Sequence, residues 1–324
     1  MDVAIFVMDD VADFGFTALL EAFKTANALR EEMPTPPEPW RVQVVSLGSS
    51  VRSSFGHVVP TVELDKLATT PAVMILPAIH IAAAEPLIKL VSSPENHAVL
   101  QSIRDVYASG AHLAAACTGP FFLAEAGVLD NAPATTSWWL GPSFRRRYPL
   151  VEVDESLTLC RGPRVTTAGA TLSHLDLALS LIRGKSPALA DLVAKYMAAG
   201  NRKTQANFHV SEVMARDHPL TAAFERWVRE HIAEQFRISE AAHELGINER
   251  SLQRITQAEL GMSPKDFVDE IRLQLAADLF RTTTLTVDAV ATKVGYLNAG
   301  TLRSLARRRR NLSLAELRSS RLLW

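Results

Sequence analysis

The chain has 324 residues, more than one ordinary core accommodates, so its length predicts two domains. With 48% hydrophobic residues it is a core-burying protein, and a largely disordered chain is excluded. A formal net charge of −1 excludes histone-like binding of nucleic acid by the whole surface, but leaves open a local basic face.

The first ten residues, from Met1 to Asp10, hold a short apolar run without a basic flank or cleavage site, so no signal peptide is expected. Nowhere do roughly 18 uninterrupted apolar residues occur, so no membrane partner is expected either. Cys117 and Cys160 are too few for a disulfide scaffold and lack the spacing of a structural zinc site. A cytoplasmic protein without metal or cofactor is the resulting expectation.

Strand-length apolar runs alternate with helical periodicity through the first two hundred residues, the pattern of a parallel sheet covered by helices on both faces. Strands are predicted at 3–8, 42–47, 72–76, 112–116 and 165–167. Helices are predicted at 16–29, 95–109, 119–126, 172–182 and 187–199. The run from His112 to Ala124 is a strand that turns sharply into a helix at Cys117. Such a turn lifts the side chain above the sheet beside a helix N-terminus, where the dipole favours a thiolate. His174, His80 and His57 have no metal-ligand spacing, and His174 reads as a hydrogen-bonded helix residue rather than a base.

A polar stretch without periodicity marks a linker over 200–218, dividing an α/β domain (1–199) from a helical domain (219–324). Helices are predicted there at 220–235, 239–245, 249–260, 264–281, 286–294, 299–310 and 314–322. Within 238–257, Ser239 can cap a short helix, Ala242 permits close helix approach, Gly246 supplies a turn and Asn248 caps the next helix. Arg250, Gln253 and Arg254 then face outward, and these are side-chain types that bond to guanine and adenine edges. The same grammar returns 49 residues later, over 286–308, where Ala291 and Gly295 repeat the spacing and Asn298 precedes a helix. That helix is expected to expose Ala299, Thr301, Arg303 and Arg307, with Leu302 inward. Ile271, Leu275 and Leu279 form an apolar stripe on the long helix between the units.

Residues 220–324 hold 16 Lys+Arg against 13 Asp+Glu, a net +3, and the remaining 18 against 22 make the rest −4. The run Arg307 to Arg310 concentrates charge near the end. Four consecutive arginines cannot share one helix face, so some are expected to meet phosphate and others to pair with acidic residues.

The two units, with Leu260-Gly261-Met262-Ser263-Pro264 and Ile271-Arg272-Leu273 between them, resemble the AraC/XylS family of transcription regulators over about 220–318. That resemblance implies two recognition helices entering successive major-groove segments of double-stranded promoter DNA. It places base contacts on Arg250, Gln253 and Arg254, and in the second unit around Ala299, Gly300, Thr301 and Ser304, with Asn298 a further DNA-binding residue and Arg303 and Arg307 contributing mainly phosphate contacts. RNA polymerase is a further partner it allows. The second unit departs from the family at Ala306, Arg310, Asn311, Leu314 and Leu317, where aromatic and turn residues are usual.

The Cys117 elbow, together with Ala134-Thr135-Thr136-Ser137-Trp138 and Asp13, resembles the class I glutamine-amidotransferase-like superfamily, in its PfpI-like branch. Fusion to an AraC-type tail is the GlxA-like arrangement, which implies a flavodoxin-like fold and a homodimer through this domain. In catalytic relatives a histidine follows the Thr-Thr pair, where this chain has Ser137, and Pro77-Ala78-Ile79 replaces the usual Pro-Gly-Gly. A non-enzymatic domain is therefore expected, holding a small effector in a pocket lined by Asp13, Cys117, Thr118, Ser137 and Trp138, or serving dimerisation. Two alternatives stay open: a cysteine-dependent hydrolase or hydratase using Cys117 with Asp13 and tethered to DNA, and a purely structural dimeriser, for which the pocket would be sealed.

Overall fold

A computed structural model describes residues 1–199, 211–215, 218–310 and 312–319. The chain divides into two compact units, Met1–Gln205 and Ala206–Trp324.

In the first unit, β1 (Asp2–Phe6) leads to α1 (Asp13–Leu29), then β2 (Arg41–Ser46), the hairpin β3 (Ser50–Arg52) and β4 (Val58–Pro60), and the short β5 (Val62–Glu63). β6 (Val73–Leu76), α2 (Ala84–Val91), α3 (His97–Ala108) and β7 (His112–Ala116) follow. Next come α4 (Pro120–Glu125), β8 (Pro133–Ala134), α5 (Gly141–Arg147), β9 (Glu152–Val153), β10 (Leu159–Arg161), β11 (Val165–Ala168), α6 (Ser173–Lys185) and α7 (Pro187–Tyr196). The main sheet has seven strands in the order β10-β11-β7-β6-β1-β2-β5.

Period-two alternation explains why its central strands are apolar throughout. Ala4 and Phe6, Met74 and Leu76, and Leu113 and Ala115 enter one core with α2 to α5. Val3 and Ile5, Val73 and Ile75, and Ala114 and Ala116 enter the other with α1, α6 and α7. Burial on both faces thus removes the polar half of the usual strand pattern.

The expected all-parallel sheet is corrected at one edge, because β10 runs antiparallel to β11. A three-residue hairpin over Gly162 to Arg164 is too short for a crossover, so the chain can only return antiparallel. The β3–β4 hairpin, α2 and α5 lie outside the predicted elements, although α2 buries Ala84, Leu87 and Val91 at helical spacing. β1 has β2 on one side and β6 on the other, so the chain reverses its direction of winding there. Ala78 and Cys117 follow directly on β6 and its neighbour β7, and Asp13 opens α1 after the β1 loop, so these residues come from the strand ends where functional groups usually lie in such sheets.

The second unit is helical: α8 (Ser211–Ala215), α9 (Pro219–Glu230), α10 (Ile238–Glu244), α11 (Glu249–Leu260), α12 (Pro264–Thr282), α13 (Val287–Lys293), α14 (Ala299–Arg310) and α15 (Leu314–Ser319). α8 lies within the stretch read as linker, and its Ser211 amide donates to Gln274 Oε1 of α12 at 3.2 Å. The other linker residues 200–210, 216 and 217 are outside the described residues, as are 320–322 of the last predicted helix. α12 packs against α8, α9 and α11 and also against α13, α14 and α15. Leu273, Ala276 and Phe280 of α12 join Val290, Ala291, Leu302 and Leu305 in one core, with Leu275 and Leu279 partly buried beside it.

Side-chain caps set the helix starts. Asn248 accepts from the Ser251 amide at 2.8 Å, Ser263 from Asp266 at 3.1 Å, Thr286 from Ala289 at 3.3 Å and Asn298 from Gly300 at 2.9 Å. Ser239 is not a cap: α10 begins one residue earlier, and Glu240 reaches back to accept from the Arg237 amide at 3.1 Å. Gly246 (φ 71) and Gly295 (φ 81) occupy the left-handed turns between the paired helices, a conformation that a Cβ strains.

Candidate functional site

α11 presents Arg250, Gln253, Arg254 and Gln257 as exposed residues at i, i+3, i+4 and i+7, while Leu252, Thr256 and Leu260 are buried. This is one continuous stripe. Gln257 was missed in the sequence; the three-residue spacing from Arg254 was available to find it. Among the described residues, Arg250 and Arg254 make no ion pair, so their donors are free for a polar ligand.

α14 is built differently. Leu302, Leu305 and Ala306 are buried, and so is Ala299, which corrects its expected outward position. Thr301, Arg303, Ser304 and Arg307 are exposed. The Asn298 side chain is exposed but already accepts the Gly300 and Thr301 amides, so its main engagement is the cap.

The arginine run splits by direction. Arg308 lies 3.5 Å from Asp269, Arg309 pairs with Asp266, and Arg310 forms a buried pair with Glu270. All three acids belong to α12. Arg303 and Arg307, together with the largely exposed Arg308, therefore supply the outward charge of this helix, and Arg309 and Arg310 hold it to the linker helix.

At the elbow, Cys117 has φ 60, the strained conformation of a strand that breaks abruptly into a helix. Gly119 is required directly behind it, since a Cβ there would lie 2.5 Å from Leu76 O. Ser137 Oγ donates to Cys117 Sγ at 3.0 Å, and Thr136 Oγ1 donates to the Cys117 carbonyl at 2.6 Å. Burial pushes the thiol above its ordinary range, and hydrogen bonds from Ser137, the Thr118 amide and Thr171 only partly oppose this.

The backbone donors at the end of β6 are occupied. The Ala78 amide donates to His174 Nε2 at 3.1 Å, and the Ile79 amide donates to Thr118 Oγ1 at 2.8 Å. Neither is free to hold an oxyanion. His174 is fully buried, with Nδ1–H donating to Thr171 O at 2.8 Å, which fixes the tautomer. Burial lowers its pKa to about 4, so it is a neutral structural side chain at physiological pH. Its ring fills the space above Gly15, where a Cβ would lie 2.5 Å from Nε2.

Asp13 belongs to another set of contacts. Its Oδ1 accepts from Ser53 at 2.7 Å and from His57 Nδ1 at 2.7 Å; its Oδ2 accepts from Ser54 at 3.0 Å and the Phe55 amide at 3.1 Å. Burial pushes this carboxyl upward, but the His57 and Ser53 bonds outweigh it and hold it well below the ordinary carboxylate range. Asp13 thus fastens the β3–β4 hairpin to α1, and the side-chain partners described for Asp13 and for Cys117 have no member in common. Cys117, Thr118, Ser137 and Trp138 are buried rather than arrayed on an open wall.

The pH consequence of His174 follows from its sign. The unfolded histidine takes a proton below about 6.5, whereas the folded one resists until about 4. Stability is therefore complete above 6.5 and falls as pH drops to 4, by on the order of 3 kcal/mol. Chemical denaturation between pH 7 and 4 is expected to show this slope, reduced in His174→Asn.

Among the described residues, no group of three or more His, Cys, Asp or Glu could hold a metal, and no helix is long and apolar enough to cross a membrane.

An α/β unit with a cysteine elbow at the end of β7, joined to paired helix-turn-helix units around a linker helix, defines a class of two-part transcription regulators. Residues 1–183 match the DJ-1/PfpI family and residues 241–320 a helix-turn-helix domain. The chain belongs to the DJ-1/PfpI family and has the GlxA-like arrangement, with an AraC-type DNA-binding domain. It is 28% identical over 287 residues to the HTH-type transcriptional regulator CdhR of Pseudomonas aeruginosa, covering 87% of this chain and 81% of that one. Its fold is similar to an AraC family transcriptional regulator from Pseudomonas putida (TM-score 0.50, 21% identity, 60% of this chain and 98% of that one). It is also similar to Drosophila melanogaster DJ-1beta (TM-score 0.50, 17% identity, 62% and 98%). The chain is a DNA-binding transcription regulator.

Proposed function

We propose that this regulator reads promoter DNA in the cytoplasm mainly through Arg250, Gln253, Arg254 and Gln257 of α11, while Thr301, Ser304, Arg303 and Arg307 of α14 supply a second, more phosphate-directed contact. The observation that carries the assignment is the unpaired donor-rich stripe on α11, set against an α14 surface of small residues and arginines. Arg250→Ala and Arg254→Ala are expected to lower affinity for selected promoter DNA by about tenfold or more each while leaving random DNA nearly unchanged. Arg303→Ala and Arg307→Ala are expected to weaken both alike and flatten the salt dependence. Equal losses on both DNAs for the α11 variants, in gel-shift titration, would refute the division.

The α/β domain serves this function without catalysis. Support comes from the raised Cys117 thiol, the occupied Ala78 and Ile79 amides and the separate engagement of Asp13. Alkylation of Cys117 near neutral pH is expected to be slower than that of a free thiol, and becomes measurable on denaturation; rapid reaction in the native protein would favour the hydrolase or hydratase reading. Burial of Cys117, Thr118, Ser137 and Trp138 favours control through homodimerisation over an effector bound at the elbow. RNA polymerase is the partner through which such a dimer would alter transcription.

A further inference from the structure

The two helix-turn-helix units are joined by more than the linker helix. Arg272, from the middle of α12, is buried with its guanidinium 5.3 Å from the Phe236 ring and 5.1 Å from the Tyr296 ring. Phe236 stands just before the first unit and Tyr296 in the turn of the second. Arg272 Nη2 also donates to Glu234 O at 2.9 Å. Beside it, Gln235 Nε2 donates to Gly295 O, and the Tyr296 hydroxyl donates to Asp269 at 2.7 Å. Gly295 is pressed so closely that a Cβ would meet both Ile232 O and the Arg272 guanidinium. The segment 232–236 ahead of the first unit is thereby fastened directly to residues 295 and 296 of the second.

We propose that Arg272 is a positioning residue that fixes the distance and rotation between α11 and α14, and so makes the protein selective for the spacing of two DNA contact segments. The proposal rests on the DNA-reading assignment above. Its physical basis is that a guanidinium packed against two aromatic rings and held by directional hydrogen bonds has one arrangement, whereas two units connected only through a helix can bend and twist. One inserted base pair displaces the second contact by about 3.4 Å and rotates it by about 34°. A latched reader cannot follow that change.

The test uses the full chain and a duplex obtained by selection from random-sequence DNA with the wild-type protein. Duplexes with one or two base pairs inserted between the footprints of the two units, and one with the second footprint scrambled, complete the set. The wild type is expected to lose at least tenfold on a single insertion. Arg272→Ala is expected to bind the parent duplex more weakly, to tolerate the insertion within about threefold, and to match the wild type on the scrambled duplex, where spacing is irrelevant. Gln235→Ala, which leaves the apolar core untouched, is expected to shift the same ratio in the same direction and serves if Arg272→Ala does not fold. An unchanged insertion penalty in folded Arg272→Ala, or in Gln235→Ala if that is the folded variant, overturns the latch, as does a wild type indifferent to insertion. Failure of selection to yield any preferred sequence instead overturns the DNA-reading assignment itself.

Discussion

Glu270→Ala is expected to destabilise the C-terminal domain by about 3–5 kcal/mol, because it leaves Arg310 buried and charged without its partner. Each side chain of this pair is only 6% exposed. Burial raises the Glu270 pKa and lowers that of Arg310, each opposed by the charge of the other. Removing one partner converts the opposition into an uncompensated penalty. Arg310→Ala is expected to cost a comparable amount. Combining Glu270→Met with Arg310→Leu is expected to restore most of the loss, since apolar side chains of similar volume suit the same site between α12 and α14. Calorimetric unfolding of the full chain, following the transition of the helical unit, tests this. Additive losses in the double variant would mean that the pair contributes specific structure that apolar packing cannot replace.

Gly119→Ala is expected to be the most damaging single methyl addition in the α/β domain, upward of about 3 kcal/mol. The added Cβ would lie 2.5 Å from Leu76 O, 3.1 Å from Ala116 O and 3.2 Å from Pro77 O, all backbone atoms at the ends of β6 and β7. None can rotate away. Gly15→Ala provides the contrast, because its obstacle is the His174 ring, a side chain. Gly15→Ala with His174→Ala is expected to recover part of the Gly15→Ala loss, limited by the Ala78 amide left without its acceptor. Urea unfolding of the single and double variants measures this coupling, and no recovery would show that the backbone around Gly15 is the true obstacle.

Several elements were legible because the signals that define them are local. The apolar runs at β1, β6 and β7, the caps at Asn248 and Asn298, and the glycines at 246 and 295 each depend on neighbours a few residues away. Helices 249–260 and 299–310 accordingly agree with the observed bounds. The β3–β4 hairpin was not legible, since its anchor is Asp13, some forty residues distant. Ser239 is a residue type common at caps, but the Glu240 bond to the Arg237 amide places the helix start one residue earlier.

The same division holds for function. Sequence by itself determined the two-domain organisation, the repeated helix-turn-helix grammar and the outward Arg250, Gln253 and Arg254, while Ser137 and Pro77-Ala78-Ile79 depart from the catalytic pattern only as the resemblance to the PfpI-like branch implies it. A net charge of −1 was legible as the sum of a basic helical end and an acidic α/β unit. Tertiary structure decided which charges remain available. It directs Arg309 and Arg310 to α12 and leaves Arg303, Arg307 and most of Arg308 outward; it separates Asp13 from the Cys117 shell and assigns the Ala78 amide to His174. These outcomes depend on partners 40 to 96 residues away, and hydrogen bonds or ion pairs between distant segments leave no periodicity in either segment alone.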